Sequence, residues 1–157
     1  MEKQGYKSDR RGRLGFASGQ SATEFAIAIP VLILLLLTGA DFARAFYTST
    51  EVANAARAGA QYGSQSVVTA ADSSGIALAA QNDAANVSGM TVTSSYCTCQ
   101  SPTPSGQTAC AASYCTDSPE ATYVEVDTSA VFTTVVTYPG IPSTTTIPGK
   151  AIMQVQQ

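Results

Sequence analysis

The chain has 157 residues with no histidine and no tryptophan, a formal net charge of −3, and 12% charged residues. Soluble domains carry about 25% charged residues, so this composition, rich in Ala, Ser, Thr and Gly, points to one small domain plus an anchor. Without histidine the chain lacks the commonest acid/base and metal-binding side chain, and it has no G-x-S-x-G elbow, phosphate-binding glycine loop or EF-hand loop. A non-enzymatic protein with no cofactor is expected.

Residues 1–19 carry Lys3, Lys7, Arg10, Arg11 and Arg13 against Glu2 and Asp9. A Lys/Arg excess beside a membrane segment holds that side in the cytoplasm, so a single-pass chain with its N-terminus inside is expected. Beyond Tyr47 the only basic residues are Arg57 and Lys150, against Glu51, Asp72, Asp83, Asp117, Glu120, Glu125 and Asp127. An acidic exterior argues against nucleic acid as a partner.

Gly19-Gln20-Ser21-Ala22-Thr23-Glu24-Phe25 joins this leader to an apolar run. A carboxylate in a membrane helix costs about 2.5 to 3.5 kcal/mol at the centre and less near an interface, so Glu24 calls for something that offsets it. Phe25 to Ala40 gives 16 residues without formal charge, or about 24 Å of helix against a hydrocarbon core of about 30 Å. Extension through Tyr47 supplies roughly 34 Å. Asp41 and Arg44 then sit three apart, close enough to pair, while Phe42, Phe46 and Tyr47 lie near the outer interface. Pro30 removes a backbone donor and crowds the carbonyl of Ala26, which predicts a kink or a loosened turn, tolerated in a membrane when neighbours satisfy the freed group.

The helical pattern continues to about Tyr62, with Phe42, Phe46, Ser49, Ala53, Ala56 and Ala60 on one face. Small residues and Gly59-x-x-x-Gly63 let another helix approach closely; the alternative is that this face packs on the chain's own domain. Gly63 to Thr69 reads as a break, Ser73 to Val87 as a second helix ended by Gly89, and the Thr-, Val- and Tyr-rich chain from Met90 onward as strands. Tyr123 to Asp127 alternates as a half-buried strand does. Val131 to Tyr138 and Ala151 to Val155 are further candidates, and Pro139, Gly140, Pro142, Pro148 and Gly149 mark a loop or irregular edge between them.

Cys97, Cys99, Cys110 and Cys115 all fall on the expected exterior side, where an even number of cysteines reads as disulfides. Cys97 and Cys99 on one strand would place their Cα atoms roughly 6.5 to 7 Å apart, at the limit for bridging, so bonds across the intervening loop are expected. An antiparallel hairpin would nest them as Cys97–Cys115 and Cys99–Cys110. A zinc site is the rival, but Cys-x-Cys followed by Cys-x4-Cys matches no common finger spacing well. The Asn86-Val87-Ser88 sequon matters only in a cell with glycosylation machinery, and the acids from Asp117 to Asp127 lack a calcium-loop signature.

Three readings compete for the junction. Ser21-x-x-Glu24 has the form of a capping box. A basic region before an apolar core, with Thr38-Gly39-Ala40 or Ala43-Arg44-Ala45 as cleavage sites, has the form of a secretory signal. The third comes from similarity: Gly19 followed by Gln20-Ser21-Ala22-Thr23-Glu24-Phe25, Ala26-Ile27-Ala28-Ile29-Pro30-Val31-Leu32 and Asp41-Phe42-Ala43-Arg44-Ala45-Phe46-Tyr47 resembles the TadE-like proteins, minor pseudopilins of the bacterial tight-adherence (Flp) pilus system. The resemblance is most specific from Gly19 to Gly63. It implies that a membrane prepilin peptidase cuts between Gly19 and Gln20, leaving Glu24 at the fifth mature position. The new α-amino group, with a reference pKa of about 7.7 to 8.0, would lie near a carboxylate able to pair with it and set docking register. Gln20 departs from the Phe usual at the first mature position of type IV pilins, so an N-methylated Phe is not implied.

The expected architecture is α+β: a basic leader at 1–19, an N-terminal helix with the membrane anchor at 20–62, and a disulfide-bonded exterior domain at 63–157. The expected partners are a prepilin peptidase, other pilins and pilus-assembly membrane proteins, and membrane lipid. The expected location is the bacterial cytoplasmic membrane, with the exterior domain periplasmic or extracellular.

Overall fold

One helix dominates the fold. In the computed structural model, which describes residues 18–103, 108–116, 120–137 and 140–156, helix α1 runs from Ser18 to Gly63, 46 residues with Pro30 inside it. The leader cations, Asp117, Tyr138 and Pro139 lie outside the described residues. The contacts divide the chain into two compact units, Met1–Leu37 and Thr38–Gln157. In the first, α1 stays helical through Pro30 and exposes large apolar side chains on every side, including Phe25, Ile27, Leu35 and Leu36.

The second unit is built from the rest of α1, two short helices and a four-stranded sheet. Helix α2 (Val67–Ala71) occupies the segment expected to be a break. A capping box starts it: the Ser66 hydroxyl accepts the Thr69 N–H at 3.2 Å, and Thr69 Oγ1 accepts the Ser66 N–H at 2.9 Å. Thr69 in place of the usual Glu or Gln at the third helical position hid that signal. Helix α3 (Ser73–Asp83) follows immediately, capped by Asp72, whose Oδ1 accepts the Gly75 N–H at 3.0 Å. It is shorter than the expected helix to Val87, because the chain turns after Ala84.

Strands β1 (Thr91–Thr98), β2 (Thr108–Ala109), β3 (Thr122–Thr133) and β4 (Thr144–Gln154) form a sheet in the order β2-β1-β3-β4. The β1–β3 and β3–β4 pairs are antiparallel, with Tyr96 opposite Val124 and Val126 opposite Ala151. Along β3 the even-numbered residues Thr122, Val124, Val126, Thr128, Ala130 and Phe132 are buried, the alternation that a sheet covered on one face imposes. The separate strand expected from Val131 is instead the end of β3. Pro148 and Gly149 lie within β4 rather than in a loop, and β4 is an edge strand, where a proline removes no ladder bond that the sheet needs.

The core is small-sided. Val52, Ala55, Ala56 and Ala60 of α1 pack with Ile76 and Ala80 of α3 and with Val124, Val126 and Ala130 of β3, all of them buried. The buried α1 seam therefore runs through Asp41, Val52, Ala55, Ala56, Gly59, Ala60 and Gly63, whereas Phe42, Phe46 and Ser49 of the expected stripe are exposed. Following the aromatic residues misplaces the seam, since a sheet can approach a helix closely only where side chains are small. A Cβ on Gly63 would stand 3.0 Å from Val124 Cγ2 and 3.1 Å from Ile76 Cδ1. A Cβ on Gly149 would stand 2.6 Å from the Val52 carbonyl oxygen. Gly59-x-x-x-Gly63 thus serves the chain's own domain. The Thr128 hydroxyl, buried at the same contact, donates to that carbonyl at 2.8 Å.

Cys97 is bonded to Cys110 and Cys99 to Cys115, with Cα separations of 4.9 and 5.4 Å. The bonds do cross the loop, but they are not nested. The reason is strand direction: β2 runs parallel to β1, pairing Cys97 with Thr108 and Thr98 with Ala109, so the later cysteine of one segment meets the later cysteine of the other. A nested pairing requires the antiparallel hairpin that does not form here.

Candidate functional site: the apolar helix and its polar ends

The residues singled out at the junction all lie on α1. Gly19 and Gln20 belong to its first turn, and the Gly19 carbonyl accepts the Thr23 hydroxyl at 2.6 Å. Because the helix begins at Ser18, Ser21 is already inside it and cannot act as the N-cap of a Ser21–Glu24 box. Glu24 and Phe25 are exposed, and Glu24 shares a face with Ile27, Ala28, Val31 and Leu32. That spacing of three, four, seven and eight residues makes a carboxylate-headed apolar stripe. Ile27 and Leu36 are both 73% exposed. A helix apolar on all sides and not covered by its own protein is matched to a non-aqueous surrounding, and α1 is long and apolar enough to cross a membrane.

At the other end of the apolar run, Asp41 is 5% exposed. The expected pairing with Arg44 is present, Nη1 to Oδ1 at 3.3 Å. Asp41 also accepts the backbone N–H of Val135 through both carboxylate oxygens, at 3.0 and 3.1 Å. The Arg44 guanidinium lies 5.5 Å from the centroid of the Phe132 ring, within range for a cation–π contact. Asp41 is therefore the clasp between α1 and the segment joining β3 to β4. The extension of the anchor towards Tyr47 belongs to the folded unit Thr38–Gln157. Periodicity revealed the Asp41–Arg44 pair, but no local signal connects residue 41 with residue 135.

Beside this clasp lies an apolar recess of about 340 Å³, lined by Thr38, Phe42, Ala45, Phe132, Ile141 and Pro142 among others. Phe42 and Ile141 of this lining are 74% and 60% exposed, and Val135, which follows Thr134 of the lining, is 66% exposed.

Two polar clusters elsewhere are structural. Tyr62 donates to Asp72 Oδ2 at 2.9 Å and Ser74 donates to Asp72 Oδ1 at 2.6 Å. The Ser74 hydroxyl, then the Gly75 N–H and the Tyr62 hydroxyl, hold the Asp72 carboxyl below its ordinary pKa, and the bond to Asp72 raises that of Tyr62. On the sheet, Lys150 Nζ lies 2.6 Å from Glu125 Oε1 and 3.8 Å from Asp127 Oδ1. The Lys150 hydrogen bond lowers the pKa of Glu125, and the same bond raises that of Lys150. The sulfurs of Cys99, Cys110 and Cys115 lie within 4.8 Å of one another, but all four cysteines are joined in disulfides, which leaves no thiolate there for the zinc alternative.

The comparisons with known proteins fall on α1. Residues 19–61 match the protein-family model described as TadE-like protein. No curated protein and no solved structure matches the chain. Over residues 19–61, within α1, the chain is therefore similar to the TadE-like proteins.

Proposed function

We propose that this protein is a minor pseudopilin or assembly component of the Tad pilus system, inserted with its N-terminus in the cytoplasm. On this reading a prepilin peptidase cuts between Gly19 and Gln20, and the non-enzymatic exterior domain supports adhesion or secretion through partner pilins. The observation that carries the reading is the coincidence of the TadE-like match at 19–61 with an exposed all-apolar helix headed by Glu24.

Glu24 is the docking group in this reading. Cleavage would free an α-amino group at Gln20, four residues before the carboxylate, where it can pair with Glu24 of the same or a neighbouring chain and fix register. The Gly19 carbonyl would have to leave the Thr23 hydroxyl for the peptidase to engage it.

The test is the mature N-terminus of the native protein, read by intact mass or terminal sequencing. A terminus at Gln20 is expected. One near Asp41 or Phe46 would make the chain a secreted domain released by signal peptidase, and retention of the leader would make it a plain anchor. Glu24→Ala is expected to insert normally but to impair processing or pilus assembly.

A further inference from the structure

We propose that Phe42, Val135 and Ile141 form a seat that enters the headgroup region of the bilayer crossed by α1, so that the exterior domain rests in the lipid surface. The inference rests on α1 spanning a membrane, but not on processing at Gly19 or on pilus assembly.

Chain adjacency carries the first step. Asp41 is the residue after Ala40, the last of the uncharged run, and each helical residue advances only about 1.5 Å. Whatever direction the run takes, Asp41 and the Val135 backbone bonded to it at 3.0 and 3.1 Å stay within a few ångströms of where the run ends. The Phe25–Ala40 run, at about 24 Å, is shorter than a hydrocarbon core of about 30 Å. Beyond Ala40 the helix still exposes Phe42, Phe46 and Tyr47, but not an apolar surface all round, because its Asp41 side is buried and bonded within the domain. A short span is accommodated by local thinning or by flanking groups that enter the interface.

The flanking groups have the composition that this zone favours. Phe42 and Ile141 expose apolar surface at the recess with Thr38, Phe132 and Pro142, and Val135, next in the chain to Thr134 of the same recess, is also exposed. Arg44, with a half-exposed side chain, can reach lipid phosphates, and the exposed Tyr47 supplies the amphipathic ring enriched at membrane interfaces. A water-facing role would leave this apolar rim exposed beside a membrane without reason.

The absence of tryptophan makes a direct test possible. Ile141→Trp and, separately, Val135→Trp place a single indole at an exposed position. Val68→Trp is the control: Val68 is 80% exposed on α2, beyond Gly63 and so roughly 33 Å of helix from Asp41. The full-length variants are reconstituted in phosphatidylethanolamine/phosphatidylglycerol vesicles, with or without lipids brominated high on the acyl chains. For both seat variants we expect blue-shifted emission and bromolipid quenching at least about threefold stronger than for Val68→Trp, as an interfacial depth of about 5–10 Å implies. Quenching equal to the control overturns the seat. So does protection that appears only as the protein-to-lipid ratio rises, which would assign the surface to a second copy. Failure of the protein to float with vesicles overturns the membrane span on which the seat depends.

Discussion

The two stretches of α1 solve opposite packing problems with opposite side chains. From Phe25 to Leu37 the helix keeps its large residues, Ile27, Leu35 and Leu36 among them, exposed. From Asp41 to Gly63 it buries Val52, Ala55, Ala56, Gly59, Ala60 and Gly63 against a sheet and a second helix. Greater hydrophobicity thus goes with less burial. A fluid apolar neighbour conforms to any large side chain, whereas a rigid sheet comes within reach only where side chains are small. The same secondary structure is therefore adapted to two surroundings by side-chain volume.

That contrast is open to mutation. Ile76, fully buried between α1 and β3, is expected to cost about 2–5 kcal/mol on replacement by Ala, measured by chemical unfolding of the full-length protein in detergent. Leu36→Ala, the control from the other stretch, is expected to change the same midpoint by less than about 0.5 kcal/mol. Equal losses would show that the apolar stretch contributes to the domain core. Gly63→Ala comes next, at about 1–3 kcal/mol, because its Cβ must displace Val124 and Ile76 side chains; Gly39→Ala, where nothing lies within 4 Å, should be neutral or slightly stabilising. Asp41→Ala should cost about 1.5–3 kcal/mol by removing charged hydrogen bonds to the Val135 N–H. Its signature is faster amide exchange at Val135, with protection at Val124 unchanged.

The smallest effect expected is on pH dependence. Glu125 and Asp72 have lowered pKa values in the folded state, so the stability they contribute is present above the ordinary carboxylate pKa of about 4 and is lost as pH falls through their folded values. Lys150 has a raised pKa, so its contribution is present below about 10.4 and is lost as pH rises through the folded value. Lys150→Gln should reduce the alkaline limb of a urea-midpoint profile to the part contributed by Tyr62, whose pKa is also raised, and weaken the acid limb, leaving the Asp72 part intact. An unchanged acid limb would mean that Lys150 does not hold Glu125 ionised.

Much of this architecture was legible locally. The apolar run, the helix continuing past it, the alternation at Tyr123–Asp127 and bonds across the cysteine loop all follow from period or composition, which nearby residues determine. The misses share a different cause. The nested cysteine pairing failed because strand direction is not local: two residues of β2 run parallel to β1. The expected stripe holds at Ala56 and Ala60, which are buried, and departs from the seam at Phe42 and Phe46, whose apolarity says nothing about how closely a sheet approaches. The break after Gly63 concealed α2 because Thr69 caps it in place of Glu or Gln.

The sequence by itself determined that a long helix begins near a basic leader, that its first stretch suits lipid, that Glu24 heads it, and that a cysteine-bearing strand region follows. Each of these is a property of neighbours along the chain: charge, hydropathy and period. Only the tertiary structure decided which α1 face is buried, which sulfurs meet, and that Asp41 grips the backbone of Val135. Such contacts join residues tens of positions apart, and they depend on the volume left when a sheet closes on a helix, which no local pattern encodes.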